Sequence, residues 1–353
     1  MNSDKPIIVV GAGLAGLSVA VRLIERNKRV ILFDNGVNYS SIIAAGMINP
    51  LVFRRMNKSW RADECTEELR SFYTGLEEKT NSSFFHPITI RRMFSNEHER
   101  ELWLQKQPTP EYDAFMTKTT EADDNFTGAI NNFGSGRVKQ AGYVNTSIFL
   151  SKVKEYVAEH GEVVSETFDH SQLSNTEYKD IEFEKLIFCE GYLGKDNPFF
   201  EYLPLQQTKG ETLDFTAQTV PENESVNRKC FILPLGNKTF RVGSTYVWDC
   251  TDTSITEEGR QAILEKVAYL TEEKVEVIDQ KAGVRPTSPD RRPMVGQHPE
   301  HNNLYTFNAL GTKGYLIAPL MSREFVDHLI DGTALNAEVT IERFAKRYQR
   351  SNS

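Results

Sequence analysis

The sequence predicts an α/β fold: a parallel sheet flanked by helices, joined to a discontinuous α+β domain built on a mainly antiparallel sheet. Residues 6–34 form a β-α-β pattern with a glycine-rich turn. A second glycine-rich turn between a strand and a helix lies within residues 304–330. The stretches between these turns are rich in strands that do not follow a β-α-β pattern, which indicates an inserted domain.

The first β-α-β unit carries a glycine fingerprint. An apolar run at residues 6–10 is typical of a buried strand. In the turn that follows, Gly11 permits a tight bend, Gly13 lets the backbone approach a pyrophosphate, and Gly16 lets the helix pack on the strand. The next apolar run ends in Asp34, where a carboxylate would accept hydrogen bonds from a ribose. The pattern therefore predicts a Rossmann-like dinucleotide site.

Length and composition indicate a globular protein of about two domains, with 353 residues, 39% hydrophobic and 25% charged. No run approaches the ~20 apolar residues of a membrane span. Because only five residues precede the first strand, we expect no signal peptide and a cytoplasmic protein. The net charge of −8 disfavours nonspecific attraction to nucleic acid.

The cysteines and histidines show no metal-binding pattern. The four cysteines are far apart without a CxxC pair, and the seven histidines lack metal-ligand spacing. We expect buried free thiols, with neither a zinc site nor a disulfide framework.

The remaining patterns predict the order of the elements. We expect helices at 58–79, 96–107, 146–160, 256–271 and 314–330, and strands at 84–94, 126–133, 163–168, 184–189, 231–235, 240–244 and 275–278. The adjacent Arg91 and Arg92 are expected at a solvated surface. The dinucleotide-binding domain should comprise residues 1–80, 145–205 and 282–353, and the second, substrate-binding domain residues 81–144 and 206–281.

Several motifs occur in the order found in one enzyme family. They are the fingerprint, Ala44-Ala45-Gly46-Met47, Cys189-Glu190-Gly191, Lys209-Gly210-Glu211, Gly283-Val284-Arg285-Pro286 with Asp290 and Pro293, and Gly311-Thr312-Lys313-Gly314. Together they resemble the FAD-dependent D-amino-acid oxidase family, in particular glycine oxidase and the oxidoreductase domain of the tRNA-modifying protein MnmC. The resemblance covers nearly the whole chain.

The resemblance implies FAD as the cofactor, bound without a covalent link, since Gly283 stands near the place where some relatives carry an attached cysteine. The small residues at 44–46 suit passage past a flat ring, although an ordinary loop is the alternative. The cofactor-binding residues it implies are Gly11, Gly13, Leu14, Ala15, Gly16, Asp34, Ser40, Ser41, Ala45, Gly46, Met47, Gly191, Gly311, Thr312, Lys313, Gly314 and Tyr315.

Three residues are candidates for the catalytic site. Arg285 matches the family position that grips the substrate carboxylate, and a planar guanidinium suits a two-point grip. Lys313 could contact substrate carboxylate, flavin or oxygen, and a solvated lysine is the alternative. Tyr246 is a candidate by its closeness to the Gly243-Ser244 turn, and a packing role is the alternative.

The reaction that the resemblance implies is oxidation of the C–N bond of a small amino acid or N-substituted glycine, with hydride transfer to flavin and hydrolysis of the imine. An alternative is MnmC-like removal of a carboxymethyl group from modified uridine in tRNA. The similarity of the turn at 311–314 favours this tRNA substrate, whereas the net charge of −8 disfavours it. A basic patch at Arg54, Arg55 and Lys58 could offset that charge. A non-catalytic flavin-binding redox protein is a third reading, which the carboxylate clamp disfavours. An NAD-dependent dehydrogenase would not explain the second glycine turn.

Overall fold

The structure is a computed structural model that describes residues 5–37, 40–118 and 126–351. These residues form seven α-helices. Asn96, Asn145 and Thr256 each cap one, because their side chains accept a hydrogen bond from the backbone N–H three residues on, at 2.9, 3.3 and 3.0 Å. The helices are α1 (Leu14–Glu25), α2 (Ala62–Thr80), α3 (Glu97–Lys106), α4 (Thr146–His160), α5 (Glu257–Val267), α6 (Gly314–Asp331) and α7 (Ala345–Ser351).

The strands alternate with these helices in the first part of the chain and follow one another directly in the middle. In chain order they are β1 (Ile7–Val10), β2 (Val30–Phe33), β3 (Met47–Ile48), β4 (Leu51–Val52), β5 (Asn57–Lys58), β6 (Phe85–Pro87), β7 (Thr89–Met93), β8 (Ser135–Val138), β9 (Gly142–Val144), β10 (Glu162–Val164), β11 (Glu177–Tyr178), β12 (Ile181–Glu182), β13 (Lys185–Phe188), β14 (Gln206–Thr216), β15 (Glu224–Arg228), β16 (Cys230–Gly236), β17 (Thr239–Gly243), β18 (Val247–Trp248), β19 (Glu276–Thr287), β20 (Met294–Gln297) and β21 (Leu304–Asn308).

The first sheet has six strands in the described residues, in the order β10-β2-β1-β13-β21-β20. All its pairs are parallel except β20 with β21. Every residue of β1 and β2 is buried, as expected for a parallel sheet covered on both faces. Side chains from these strands and from α1, α2, α4 and α6 form the largest hydrophobic core.

The second sheet has eight strands within the described part of the chain, in the order β18-β14-β17-β16-β15-β7-β8, with β19 also paired to β14. All its pairs are antiparallel except β7 with β15. Its strands come from residues 89–138 and 206–287, so the sheet is built from two separate pieces of chain. Helix α5 covers one face, where Ile263 and Val267 join the core of the sheet. The predicted fold class is confirmed.

The expectation for Arg91 and Arg92 is wrong, because both are buried, at 5% and 6% exposed. Neighbouring residues of a strand point to opposite faces, and both faces of β7 are covered. The Arg91 guanidinium lies over the ring of Phe126 on one face, and the Arg92 guanidinium lies over the ring of Phe53 on the other.

Two further local expectations differ from the structure. Residues 126–133 contain no strand, and residues 119–125 lie outside the described chain. The strand expected at 275–278 is the much longer β19, which pairs with β14 from Glu276 to Thr287. Residues 282–287 therefore belong to the second sheet and not to the first. The division of the chain into two domains stays a prediction.

All four cysteines are free thiols; Cys65, Cys189 and Cys230 are buried, and Cys250 is half-buried. In the described ranges, no group of three histidine, cysteine, aspartate or glutamate side chains is placed to hold a metal ion. None of the described helices combines the length and apolar character needed to cross a bilayer.

Candidate active site

A cavity of about 650 Å³ is lined by residues of both sheets. The glycine turns after β1 and β21 contribute from the first sheet, and β14, β15, β16 and β19 contribute from the second. Its volume lies in the usual range for cofactor and substrate sites. Of the residues expected to bind the cofactor, those that line the cavity are Gly11, Gly13, Leu14, Ala15, Asp34, Ser40, Ser41, Ala45, Gly46, Met47, Gly191, Gly311, Thr312, Lys313, Gly314 and Tyr315.

The fingerprint glycines have the geometry that their spacing predicts. Gly11 has a φ of +101°, and a Cβ there would lie 2.7 Å from the carbonyl oxygen of Cys189. Gly16 does not line the cavity; a Cβ there would lie 1.8 Å from the Gly11 carbonyl oxygen, so this glycine allows the close packing of α1 on β1. At the first turn of α1, the Leu14 N–H donates to Ser41 Oγ at 2.9 Å.

Asp34 lies at the end of β2, on the cavity wall. Its Oδ1 accepts a long hydrogen bond from the Ala12 N–H, at 3.4 Å. Its Oδ2 forms an ion pair with Lys154 of α4, whose side chain is about one-third exposed. The sequence did not indicate this lysine, which is 120 residues away along the chain.

The stretch at Gly46 passes close to another strand. Gly46 has a φ of +69°, and a Cβ there would lie 1.9 Å from the carbonyl oxygen of Val144 in β9. Tyr315 ties this side of the cavity to the start of α6, because its hydroxyl donates to the Ser41 carbonyl at 3.0 Å. Burial raises the pKa of Tyr315, so the hydroxyl stays protonated as this donor.

Lys313 points inward between the two sheets. Its Nζ donates to the carbonyl oxygens of Asn49 and Leu51, at 2.7 and 3.1 Å. No carboxylate of the described chain lies within ion-pair distance of it, and burial lowers its pKa to about 8. The ammonium group is therefore mostly charged at neutral pH but loses its proton around pH 8, well below the range of an exposed lysine. The alternative of a solvated lysine is not supported.

Arg285 reaches from β19 across the surface of β14 and lines the cavity. Its guanidinium lies directly over Gly210: a Cβ on that glycine would be only 2.0 Å from Nη2. Nη2 donates to Ser244 Oγ at 2.7 Å, and Nη1 makes a long contact to the Lys209 carbonyl at 3.4 Å. Within the described residues, no carboxylate pairs with this guanidinium. Burial lowers its pKa, which reflects how much solvent it has lost.

The residues on either side of Gly210 fix the loop that carries Ser244. Lys209 and Glu211 are 3% and 2% exposed, on the face of β14 opposite the cavity. Lys209 Nζ lies 2.9 Å from Asp252 Oδ2. Glu211 accepts from the N–H and Oγ1 of Thr256 at 2.9 and 2.7 Å, at the start of α5. Near the other end of the loop, the Glu211 N–H donates to Thr245 Oγ1 at 2.8 Å, so both ends of the 244–256 loop are held by the strand over which Arg285 lies.

Tyr246 does not line the cavity and is 44% exposed. Its ring centre lies 5.4 Å from the Arg285 Cζ, within range of a cation–π interaction. Its effect on the site therefore passes through the guanidinium. A catalytic role for Tyr246 stays a prediction.

Among the residues of the cavity wall that sequence reasoning did not assign to the site are Gly210, Asn227, Phe231 and Ser244. Gly210 belongs to the Lys209-Gly210-Glu211 motif, for which the sequence indicated no role. The other three lie on β15, on β16 and just after β17, where only the strand register shows that they share a face.

This arrangement defines a class of protein. A glycine turn at a helix N-terminus and a carboxylate at the end of the second strand suit a dinucleotide. An arginine and a lysine, both partly buried and neither paired with a carboxylate of the described chain, line the same cavity and suit an anionic substrate. The cavity is therefore that of an oxidoreductase that binds a dinucleotide cofactor beside its substrate.

Comparison with known proteins identifies the family. Residues 6–328 match the family described as DAO, FAD dependent oxidoreductase, and the chain belongs to that family. It is 26% identical over 352 residues to the tRNA 5-methylaminomethyl-2-thiouridine biosynthesis bifunctional protein MnmC of Acinetobacter baylyi, covering 93% of this chain and 53% of that protein. The chain thus spans about half the length of that relative.

Two glycine oxidases are similar over more than nine-tenths of their length. Identity to glycine oxidase of Geobacillus kaustophilus is 24% over 355 residues, covering 91% of both chains. The crystal structure of glycine oxidase from Bacillus cereus superposes with a TM-score of 0.79 at 20% identity, covering 94% of this chain and 96% of that one. This likeness shows the fold. The family resemblance read from the sequence is confirmed.

FAD is the cofactor of this family, and the cavity residues fit it. Gly191 and Gly311 line the cavity with φ values of +60° and +63°, and a Cβ on Gly191 would meet no atom within 4 Å. Bare backbone of this kind suits contact with a pyrophosphate or a flat ring. When bound, the flavin supplies an acceptor for a hydride.

Proposed function

We propose that this enzyme oxidises the C–N bond of a small amino acid or an N-substituted glycine. The observation that carries the proposal is Arg285, a partly buried guanidinium that lines the cavity and has no carboxylate partner in the described chain. A guanidinium that has lost part of its solvent gains from pairing with the anionic group of a ligand. A substrate carboxylate meets that need by accepting two parallel hydrogen bonds.

The residues around Arg285 would position the substrate for the reaction. Ser244 holds one Nη, and Gly210 leaves the guanidinium room to lie flat against the strand, so its remaining N–H groups can grip a carboxylate. That grip would orient the α-carbon for hydride loss. The amine loses a proton as the hydride leaves, and water then hydrolyses the imine to an amine and an oxo acid.

Lys313 would add a second positive charge beside the substrate. Its two backbone contacts use two of its three N–H donors, which leaves one for a ligand. In the proposed complex, the fingerprint turn and Asp34 hold the FAD pyrophosphate and ribose, and the turns at Gly46 and Gly311 border the ring.

Anaerobic flavin bleaching with a panel of glycine, sarcosine, other N-substituted glycines and D-amino acids tests this function. Bleaching by at least one of them, and loss of that bleaching in Arg285→Ala at unchanged FAD content, is the expected result. A flavin that stays oxidised with every member of the panel would exclude small amino acids as substrates.

A second candidate substrate is a carboxymethylamino group on uridine in tRNA. One structural observation favours it. Arg54 and Arg55 are exposed on the short turn between β4 and β5, and no carboxylate of the described chain pairs with them. Strand β4, which leads into this turn, begins at Leu51, whose carbonyl oxygen accepts from Lys313 at the cavity. Two free cations near the cavity suit backbone phosphates, although the net charge of −8 opposes binding.

The double variant Arg54→Glu/Arg55→Glu separates the two substrates. If tRNA is the substrate, bleaching by carboxymethylaminomethyl-modified tRNA should fall steeply, while bleaching by small glycines stays unchanged. Lys274→Glu/Lys346→Glu, with the same change of charge on exposed lysines outside the cavity, is the matched control. Modified tRNA that never bleaches the parent flavin removes this candidate.

A further inference from the structure

Asn227 presents an amide group to the cavity from the middle of the second sheet. It lies on β15, two residues after Ser225, whose Oγ is 4.0 Å from the sulfur of Met47. Because alternate residues of a strand share a face, Asn227 and Ser225 face the same side. Asn227 thus lies near the stretch that borders the flavin ring in the proposed complex.

The orientation of this amide is fixed by a buried ion pair behind it. Arg92 Nη1 donates to Asn227 Oδ1 at 2.7 Å. Arg92 Nη2 donates to both carboxylate oxygens of Glu99, at 2.8 and 2.9 Å, and Glu99 also accepts from the Ser95 N–H at 2.9 Å. The pair is nearly dry, with side chains 8% and 15% exposed.

A guanidinium donates hydrogen bonds and cannot accept them. The amide oxygen of Asn227 must therefore face Arg92, and its NH₂ group must face away. Among the described residues this NH₂ group has no hydrogen-bond partner, although Asn227 lines the cavity. A fixed donor that faces a cavity without a protein partner is suited to a ligand oxygen.

We propose that Asn227 is a specificity residue whose NH₂ group binds an acceptor oxygen on the substrate, at the end opposite the carboxylate held by Arg285. The substrate is then a glycine whose N-substituent carries a carboxylate or carbonyl oxygen. Arg92 and Glu99 act as positioning residues for this amide. The assignment rests on the proposed function of Arg285.

The sheet order limits the length of such a substrate. Strands β17 and β16 lie between Gly210, under the Arg285 guanidinium, and Asn227. The strand register places Asn227 in line with Thr212, so Gly210 lies three strand steps of about 4.8 Å and two residues of about 3.3 Å away, or about 16 Å for a flat sheet. Hydrogen bonds of about 2.9 Å at each end leave about 10 Å or less for the ligand. Glycine itself is far too short to use both groups, whereas a dicarboxylate spans most of that distance.

Two thioethers that resist C–N oxidation probe this contact by binding alone. Thiodiacetate carries the second carboxylate, and (ethylthio)acetate lacks it. Titration of the FAD-loaded protein, followed by the change in the flavin spectrum, gives both dissociation constants. In the parent, thiodiacetate should bind more tightly by roughly 10- to 150-fold, the value of a hydrogen bond to a charged group.

Asn227→Leu should remove this preference and leave (ethylthio)acetate binding within about twofold. Asn227→Asp keeps an acceptor for Arg92 but loses the donor, so it should also lose the preference while remaining folded and FAD-loaded. Gln261→Leu replaces an exposed amide on α5 and should behave as the parent.

The outcomes separate this proposal from the proposed function. A parent that binds both thioethers equally or binds neither, or an Asn227→Leu variant that keeps the preference, overturns the role of Asn227. If the preference depends on Asn227 while no glycine derivative bleaches the flavin, the Asn227 contact stands and C–N oxidation of glycines fails.

Discussion

Replacing Gly210 by alanine should impair the enzyme through Arg285, because the two residues occupy adjoining space. The new Cβ would lie 2.0 Å from Nη2 and 2.2 Å from Nη1, where ordinary contact begins at 3.4 Å. The guanidinium must therefore move by about 1.4 Å (3.4 minus 2.0). A shift of that size breaks the 2.7 Å hydrogen bond to Ser244 and misplaces the groups that would hold a substrate carboxylate.

The expected loss follows from those hydrogen bonds. Charge-assisted hydrogen bonds contribute about 1.5–3 kcal/mol, so the second-order rate constant of flavin reduction should fall by roughly 10- to 150-fold. Arg285→Ala should cost at least as much. Because both changes act on one guanidinium, Gly210→Ala/Arg285→Ala should be no worse than Arg285→Ala alone, within about twofold.

Anaerobic stopped-flow reduction with whichever amine proves active measures all three variants, with FAD content determined beside it. Gly75→Ala is the matched control, since a Cβ there meets no atom within 4 Å. Two results would refute the claim that Gly210 acts by leaving space for the guanidinium. One is a double variant in which the losses in rate constant of the two single variants add. The other is a Gly210→Ala enzyme that reduces its flavin as fast as the parent.

Three further predictions concern the lysine, the flavin and a second glycine. Lys313 is charged below its pKa of about 8, so with an anionic substrate the rate constant of flavin reduction should fall as pH rises through 8. The Lys313→Met variant should lack this fall. Identical pH profiles for the parent and the variant would count against a role for the lysine charge. Acid precipitation should release all FAD, because no covalent link to the flavin is expected. Burial raises the pKa of Cys189, the cysteine that lines the cavity, and so disfavours the reactive thiolate that such a link would need. Flavin that stays in the protein pellet would contradict this prediction. Gly46→Ala should destabilise the protein by at least about 1–2 kcal/mol, given its φ of +69° and the Val144 carbonyl 1.9 Å from the new Cβ, whereas Gly75→Ala should not; equal melting temperatures would refute it.

The first sheet was predictable because its constraints are local. The turn at Gly11, the packing glycine at Gly16 and the acid at Asp34 all lie within one β-α-β unit, in which Gly16 packs on Gly11 and Asp34 accepts from Ala12. The second sheet lacks such a unit. Its strands come from two distant segments, and the parallel pairing of β7 with β15 joins residues more than 130 positions apart.

The same difference between local and distant contacts decides how much of the candidate site could be predicted. The motif alone indicated Arg285. The position of its guanidinium depends on Gly210 and Ser244, which lie on or at the end of two other strands. The partner of Asp34 is likewise on a helix that no spacing rule connects to it. Contacts of this kind depend on strand register and helix placement, which a single sequence does not specify.

Lys209-Gly210-Glu211 shows why polarity alone misleads here. Two charged residues alternating with glycine are typical of a strand with one solvated face. In the structure, α5 and the 244–256 loop cover that face, and the charges of Lys209 and Glu211 hold the loop in place. The glycine between them faces the cavity because the charged residues face away from it. The tripeptide thus acts on both faces of β14. On one face, Lys209 and Glu211 hold the loop that carries Ser244 to Arg285. On the other face, Gly210 leaves space for the Arg285 guanidinium.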